Sequence, residues 1–162
     1  MVRIYKASLR DAKGVVDVLN SVIAEGNVTT MDKPFTIQEE ERFIASMNYR
    51  EALFVAEING KIVGVQGIYL YSVMNANNHV ATMGTWILKD YRGKGIGKLL
   101  AQEAFNFAKK SGFEKIFIWV MAHNERALNF YRELGFKRIG IAKKQVKLGE
   151  NYYDEVYMEK FL

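Results

Sequence analysis

The pattern with the clearest chemical meaning lies past the middle of the chain, where Arg-Gly-Lys-Gly-Ile-Gly occupies residues 92–97 and an amphipathic run follows. Glycines in a turn that leads into a helix leave the first N–H groups of that helix accessible. A helix N-terminus carries roughly half a positive charge and favours acidic neighbours, yet this one has Arg92, Lys94 and Lys98. A bound anion would explain both features. We therefore predict that residues 92–98 bind a phosphorylated ligand, with a plain exposed loop as the alternative.

Two well-known phosphate-binding motifs do not describe this loop. A P-loop requires Gly-Lys-Ser/Thr, but Gly97 and Lys98 are followed by Leu99. A dinucleotide fingerprint requires G-x-G-x-x-G, whereas Gly95 and Gly97 are separated by a single residue. The loop therefore predicts neither a P-loop nucleoside triphosphatase nor a Rossmann-type dehydrogenase.

A second pattern lies downstream, and together the two resemble the GCN5-related N-acetyltransferase (GNAT) family. Arg92, Gly95 and Gly97 fit its Arg/Gln-x-x-Gly-x-Gly/Ala loop. Residues 124–136 fit its segment N-x-x-A-x-x-x-Y-x-x-x-G-F in every fixed position. The resemblance covers nearly the whole chain and implies one N-acetyltransferase domain over residues 1–162. The implied fold is an α/β (α+β) mixed sheet, mostly antiparallel, with one parallel β-α-β unit at the cofactor site and helices on both faces.

The resemblance implies that acetyl-coenzyme A (acetyl-CoA) is the co-substrate. Main-chain N–H groups of the loop would hold its pyrophosphate, and the backbones of two strand residues would pair with its pantetheine arm. Asn124 would contact the same arm, although capping of the following helix also explains an Asn there. The implied cofactor-binding residues are Ile87, Leu88, Arg92, Gly93, Lys94, Gly95, Ile96, Gly97 and Asn124.

Tyr131 matches the general acid of the family, which protonates the departing thiolate. A phenol with a pKa of about 10 suits a thiolate with a pKa of about 8.5 to 10. Tyr131 follows Asn124 by two helical turns, so both can face the cofactor. A tyrosine that only packs in the core is the alternative. A free backbone N–H near Leu88 would stabilise the oxyanion.

The residue that deprotonates the amine cannot be named from the sequence. Many family members carry a Glu on the strand before the loop, but Val80–Leu88 contains no carboxylate. The groups considered are His79, Glu25, Asp32 and Asp154, and a chain of water molecules is a further option. We expect the proton to leave through water.

The resemblance implies that two segments form the acceptor side, residues 24–36 and the C-terminal hairpin, and here both segments contain acidic or aromatic residues. Such groups suit a cationic primary amine through charge and cation–π contact. The resemblance implies that Glu25, Asp32, Tyr153 and Asp154 bind the acceptor. An ordinary solvated hairpin is the alternative.

Hydrophobic periodicity and turn residues predict the order β-α-α-β-β-β-α-β-α-β-β. Thr36 and Glu39 form a capping box at the start of the second helix. Asn59-Gly60 predicts a tight hairpin. Residues 80–121 predict a β-α-β unit with the glycine loop at the carboxyl end of its first strand, where ligands commonly bind.

Composition limits the remaining classes. The chain has 162 residues, of which 49% are hydrophobic, and it has no cysteine. We therefore expect no disulfide and a cytoplasmic location. With two histidines, we expect no metal site. The N-terminus lacks the apolar region of a signal peptide, and no apolar run suits a membrane span. The net charge is +5, but the basic residues are dispersed outside residues 92–98, so no nucleic-acid partner is expected. A homodimer is left open.

These observations favour an acetyl-CoA-dependent N-acetyltransferase that acts on a primary amine, with a small molecule as the first choice. The alternatives are an enzyme for peptide N-termini or lysines and a non-catalytic CoA-binding sensor. A nucleotide-binding protein of another family ranks last, because it would not explain residues 124–136.

Overall fold

One seven-stranded sheet runs through the computed structural model, which describes residues 1–162. Its strands are β1 (Arg3–Lys6), β2 (Ala52–Ile58), β3 (Lys61–Leu70), β4 (Val80–Ile87), β5 (Lys115–Met121), β6 (Lys137–Leu148) and β7 (Asn151–Phe161). The helices are α1 (Ala12–Ile23), α2 (Ile37–Ser46), α3 (Ile96–Lys110) and α4 (Glu125–Glu133). The strand order is β1-β2-β3-β4-β5-β7-β6, and β4 with β5 is the one parallel pair. The predicted element order and mixed sheet are confirmed.

The structure adds short 3-10 turns and shifts some boundaries. The turns lie at Leu9–Asp11, Asn75–Asn77 and Lys89–Tyr91. Periodicity in the sequence predicts a first helix from about Leu9 to Ala24, but the chain forms a 3-10 turn at Leu9 and becomes α-helical at Ala12. The sequence also predicts a strand over Phe136–Val146, and β6 continues two residues further, because the tight hairpin keeps the strands paired up to Leu148 and Asn151.

Two local predictions are confirmed in atomic detail. Asn59 and Gly60 both have positive φ angles, +50° and +78°, as a type I′ hairpin turn requires. At the start of α2, the Thr36 hydroxyl accepts from the Glu39 N–H at 3.2 Å, and the Glu39 carboxylate accepts from the Thr36 N–H at 2.8 Å. The capping box therefore fixes the start of α2, and the Asn59-Gly60 turn fixes the β2–β3 hairpin.

Helices cover both faces of the sheet. On one face, α3 and α4 pack on a large cluster that includes Leu100, Ile116 and Ile118. On the other face, α1 packs on a smaller cluster that includes Val15 and Val65, and α2 contacts α1. We call these the α3 face and the α1 face. None of the helices is long and apolar enough to cross a membrane.

The sheet opens between β4 and β5. The two strands pair only through Val80 with Lys115 and Ala81 with Ile116, and beyond these residues they diverge. We call the gap toward their carboxyl ends the β4–β5 split. Helix α3 follows β4 and helix α4 follows β5, so the N-termini of both helices flank the split.

Candidate active site

The glycine loop leaves a row of backbone donors without acceptors. Gly93 and Gly95 have φ angles of +73° and +79°, and Gly95 is the N-cap of α3, a left-handed conformation that favours glycine. The first N–H groups of α3 with a partner are those of Lys98 and Leu99, which both donate to the Gly95 carbonyl. The N–H groups of residues 93–97 have no hydrogen-bond acceptor in the protein. Together with the helix dipole they can bind an anion.

Gly97 has a packing role as well. It is buried, and a Cβ atom placed there would lie 2.9 Å from the Phe130 ring. The missing side chain therefore lets α3 approach α4 closely. Ile96, the first residue of α3, is also buried in the core. These two residues fix the helix start that presents the free N–H groups.

Arg92 and Glu25, which the sequence assigned to different sites, form one ion pair. Arg92 Nη1 donates to Glu25 at 2.9 Å, Nη2 binds the other Glu25 oxygen, and Nε donates to the Ile87 carbonyl at 2.8 Å. The hydrogen bonds from Arg92 lower the pKa of the Glu25 carboxyl, with a smaller effect from the nearby Lys89 and Arg126. Sequence reasoning missed these last two basic groups, although Arg126 lies inside the 124–136 segment.

The backbone of Leu88 is already hydrogen-bonded. Its N–H donates to the Val63 carbonyl at 3.0 Å, and its carbonyl accepts from the Tyr91 N–H at 2.9 Å. The Leu88 N–H itself is therefore not available as an oxyanion donor, because it is used in the contact between β4 and β3, and a free N–H near Leu88 stays a prediction. A free oxyanion donor would have to lie at a neighbouring residue along the split.

Tyr131 lies at the split, within a series of partly buried hydrogen bonds. Its hydroxyl donates to Thr85 Oγ1 at 3.2 Å, and the Thr85 hydroxyl donates to Gln66 Oε1 at 2.6 Å. Gln66 Nε2 in turn donates to the Gly84 carbonyl at 2.8 Å. These hydrogen bonds connect α4 to β4 across the split and position the phenol. Burial raises the pKa of Tyr131, so its proton is retained at neutral pH.

The segment after α1 crosses to the start of α4. Besides the ion pair of Glu25, the Asn27 carbonyl lies 2.7 Å from His123 Nε2, and the Val28 carbonyl accepts from Asn124 Nδ2 at 3.2 Å. We call residues 25–28 the strap. The Asn124 Oδ1 caps α4, as predicted. The strap therefore contacts both helix N-termini that flank the split.

Three of the four predicted acceptor residues line one groove. Glu25, Asp32 and Tyr153 surround a volume of about 540 Å³ between the strap and the tip of the β6–β7 hairpin. The same groove is lined by Gly26, Asn27, Leu148, Gly149 and Asn151. The groove thus joins the two segments that the sequence predicted would form the acceptor site.

Asp154 lies outside that groove. Its carboxylate accepts from the Lys144 N–H at 2.8 Å and from Lys143 Nζ at 2.9 Å. Lys144 has a φ of +52° in an irregular stretch of β6, and Asp154 stabilises that stretch. The hydrogen bond from the Lys144 backbone is the largest cause of the lowered pKa of Asp154. Asp154 therefore contacts β6 and does not line the groove that contains the other three predicted acceptor residues.

His79 is remote from the open end of the split. It is exposed and precedes β4, and its carbonyl accepts from the N–H groups of Glu114 and Lys115. The glycine loop lies at the opposite end of β4. His79 is therefore badly placed to deprotonate an amine at the split.

Comparisons with known proteins agree with this geometry. The profile of the Acetyltransferase (GNAT) family matches residues 20–136. A Bacillus subtilis protein named "Putative phosphinothricin acetyltransferase YwnH" is 28% identical over 149 residues, which cover 91% of each chain. An acetyltransferase of the GNAT family from Streptococcus pneumoniae has a crystal structure with a TM-score of 0.92, 27% identity and full coverage of both chains.

A phosphinothricin acetyltransferase from Sinorhizobium meliloti in complex with AcCoA also shares the fold, with a TM-score of 0.92. It is 19% identical, and the match covers 99% of this chain and 88% of that one. The fold implied by the sequence resemblance is confirmed. The chain belongs to the GNAT family of acetyltransferases and is an N-acetyltransferase.

Proposed function

We propose that the chain transfers an acetyl group from acetyl-CoA to the primary amine of a small molecule. The observation that carries the cofactor assignment is the row of unpaired N–H groups at residues 93–97. A pyrophosphate is the group that such a row and a helix dipole bind well. Lys94 is exposed beside this row and adds positive charge. The complex of the S. meliloti relative with AcCoA agrees with this proposal.

The proposed cofactor site includes the residues that the sequence suggested, with two changes in how they act. Arg92 is held by Glu25 and Ile87, so we propose that its main role is to shape the end of β4. Arg126 and Lys89 lie near the same carboxylate and supply basic charge in its place. Ile87, Leu88 and Asn124 remain proposed neighbours of the pantetheine arm.

Tyr131 is the proposed general acid. Bound acetyl-CoA supplies the thioester carbonyl that the amine attacks. Tyr131 then gives its phenolic proton to the departing sulfur. The hydrogen bond to Thr85 holds the phenol at the split, and burial keeps it protonated until a thiolate approaches. The proposed transfer is direct, which means that the acetyl group passes from the sulfur to the amine nitrogen without an acyl-enzyme intermediate.

The proposed acceptor is a small molecule because of the size of the groove. A volume of about 540 Å³ is within the range of small-molecule sites, about 300–1,000 Å³. Asp32 and Tyr153 offer a negative charge and an aromatic ring to a cationic amine. Glu25 also lines the groove, but its charge is shared with Arg92.

Two measurements test the proposal. A thermal shift scan should rank acetyl-CoA and CoA above ATP and NAD, because a ligand that binds only the native state stabilises it. Release of CoA thiol should then be followed across a panel that contains phosphinothricin, amino acids, polyamines, and peptides with free N-termini or lysines. A higher ranking of ATP or NAD would refute the cofactor assignment. Turnover with peptides alone would replace the small molecule by a protein acceptor, and binding without turnover would indicate a sensor.

A further inference from the structure

An amine must lose a proton before it can attack, and β4 contains no carboxylate. Three of the four groups considered from the sequence are engaged or badly placed. Glu25 is paired with Arg92. Asp154 is paired with Lys143 and accepts from the Lys144 backbone N–H. His79 precedes the start of β4, at the end opposite the glycine loop. Asp32 is an exposed residue in the groove wall. The proton acceptor is therefore water, as expected from the sequence, or Asp32, or a residue outside this set.

Glu155 is a buried carboxylate for which the roles described so far have no use. It lies in β7 directly opposite Met121 of β5 and Ala142 of β6, and it is only 5% exposed. No hydrogen bond or ion pair reaches its carboxylate, and burial alone raises its pKa. Burial of an ionisable group without a partner costs free energy, so a functional reason for this residue is worth testing.

The carboxylate of Glu155 is accessible, although the residue is buried. The protein has a second unpaired buried carboxylate, Glu40 of α2, and its Oε1 atom is sealed from solvent. Neither oxygen of Glu155 is sealed in this way. A water molecule can therefore contact the carboxylate of Glu155 but not that atom of Glu40.

The titratable neighbours of Glu155 leave it free to accept a proton. Tyr153 and Tyr157 share its strand face, and His123 packs on Tyr153 with ring centroids 5.1 Å apart. On β6, Lys143 and Lys144 follow Ala142, the register partner of Glu155, and both contact Asp154. None of these groups forms a hydrogen bond with Glu155. No neighbouring charge therefore holds its carboxylate in either protonation state.

The position of Glu155 connects the acceptor groove to the split. Side chains alternate along a strand, so Glu155 shares its face with Tyr153, which lines the groove. Its partner Met121 is the last residue of β5, at a level where β5 no longer pairs with β4. Glu155 is therefore one strand from the open split, on the opposite face of the sheet from Tyr131.

We propose that Glu155 is the general base that takes the proton from the acceptor ammonium, directly or through one water molecule. The inference rests on the proposed function. The ammonium gives one proton to the Glu155 carboxylate, and the neutral amine attacks the thioester carbonyl. The C–N bond forms and the C–S bond breaks, the sulfur takes the proton of Tyr131, and Tyr131 regains a proton from the nitrogen. Glu155 later releases its proton to solvent, so the products are an amide, the free thiol and one proton.

The test is the pH dependence of kcat/KM for the acceptor amine in Glu155→Gln. With Glu155 present, the rate should level off once its carboxylate is ionised. In Glu155→Gln we expect a loss of about 10²-fold at pH 7, and then a rise of about tenfold per pH unit as free amine forms in solution. Binding of acetyl-CoA should be unchanged. The thermal stability should stay equal or increase at pH values where Glu155 is ionised, because a buried charge is removed.

Glu159→Gln is the matched control. Glu159 lies on the same strand and face, but opposite Phe117 and in an ion pair with Lys115, far from the open end of the split. It should retain the unsubstituted rate and pH profile. If Glu155→Gln does not fold, Glu155→Asp should keep the shape of the unsubstituted profile with a lower plateau.

The outcomes separate the two levels of the argument. A Glu155→Gln variant with an unchanged rate, or with a loss that is equal at every pH, would overturn the role of Glu155 and leave the proposed function intact. A rate that does not depend on pH in Glu155→Asp would also overturn the role of Glu155. Absence of turnover by the unsubstituted chain with every amine would overturn the proposed function and this inference with it.

Discussion

Replacement of Tyr131 by Phe removes one hydroxyl and should separate chemistry from stability. The ring is 7% exposed and packs against Phe130 and Phe136, so the core stays filled. The variant loses the hydrogen bond to Thr85, which is worth about 0.5–1.5 kcal/mol. The Thr85 hydroxyl keeps its acceptor on Gln66, so no buried donor is orphaned. The variant should therefore fold, because small proteins have about 5–15 kcal/mol of stability.

The catalytic loss should be much larger. A general acid contributes about 10²–10⁴-fold, and each factor of ten corresponds to about 1.4 kcal/mol of barrier. Single-turnover measurements of CoA thiol release, at saturating amine, should show this loss in the rate constant. The concentration of acetyl-CoA for half-saturation should change by less than about threefold.

A control substitution removes a tyrosine hydroxyl that has no partner. Tyr71 is 44% exposed and packs edge-on against Phe117, and Tyr71→Phe should leave the rate unchanged. A single-turnover rate for Tyr131→Phe within about twofold of the unsubstituted rate would refute the role of Tyr131. Water would then be the source of the proton for the thiolate.

Three further substitutions test the loop, the strap and a buried charge. Gly95→Val should abolish acetyl-CoA binding in calorimetry, because the φ of +79° at Gly95 is unfavourable for a β-branched residue. The far-ultraviolet circular dichroism spectrum should stay native. Normal affinity for acetyl-CoA would mean that the phosphates bind elsewhere. Glu25→Gln should cost about 1 kcal/mol above pH 4.5 by losing the ion pair with Arg92, and the cost should fade as pH decreases, since the folded pKa of Glu25 is lowered. A cost that is constant with pH would mean that the charge of Glu25 is irrelevant. Glu40→Met should stabilise the fold by about 1–3 kcal/mol at neutral pH and by less near pH 4, because burial raises the pKa of Glu40. Chemical denaturation at both pH values measures this, and equal gains would indicate a packing effect alone.

Features encoded by short stretches of sequence could be predicted. The Asn59-Gly60 turn and the capping box at Thr36 depend on a few neighbouring residues, and the structure has both. The glycine loop could be predicted for the same reason. Its glycines directly precede a helix, and its basic residues stand where a helix N-terminus usually favours acidic ones. The element order followed from periodicity.

Features that depend on contacts between distant segments could not be predicted. Arg92 and Glu25 are 67 residues apart, and nothing in either segment indicates that they form an ion pair. The partner of Asp154 depends on an irregular stretch of β6 that turns a lysine N–H toward it. The accessibility of Glu155 is likewise a property of three neighbouring strands. Such contacts change the role of a residue even where its place in the fold is predicted well.

The β4–β5 split would explain how the proposed groups on opposite faces of the sheet act on one reacting centre. A continuous sheet would separate Tyr131, on the α3 face, from the groove on the α1 face. Here β4 and β5 stay paired for only two residues at their start, so backbone hydrogen bonding is given up where the chemistry would take place. Loss of strand pairing carries a cost in unsatisfied backbone groups, and a bound cofactor arm can satisfy them by pairing as an added strand. The same interruption would therefore bind the cofactor and let an amine from one face meet a proton donor from the other.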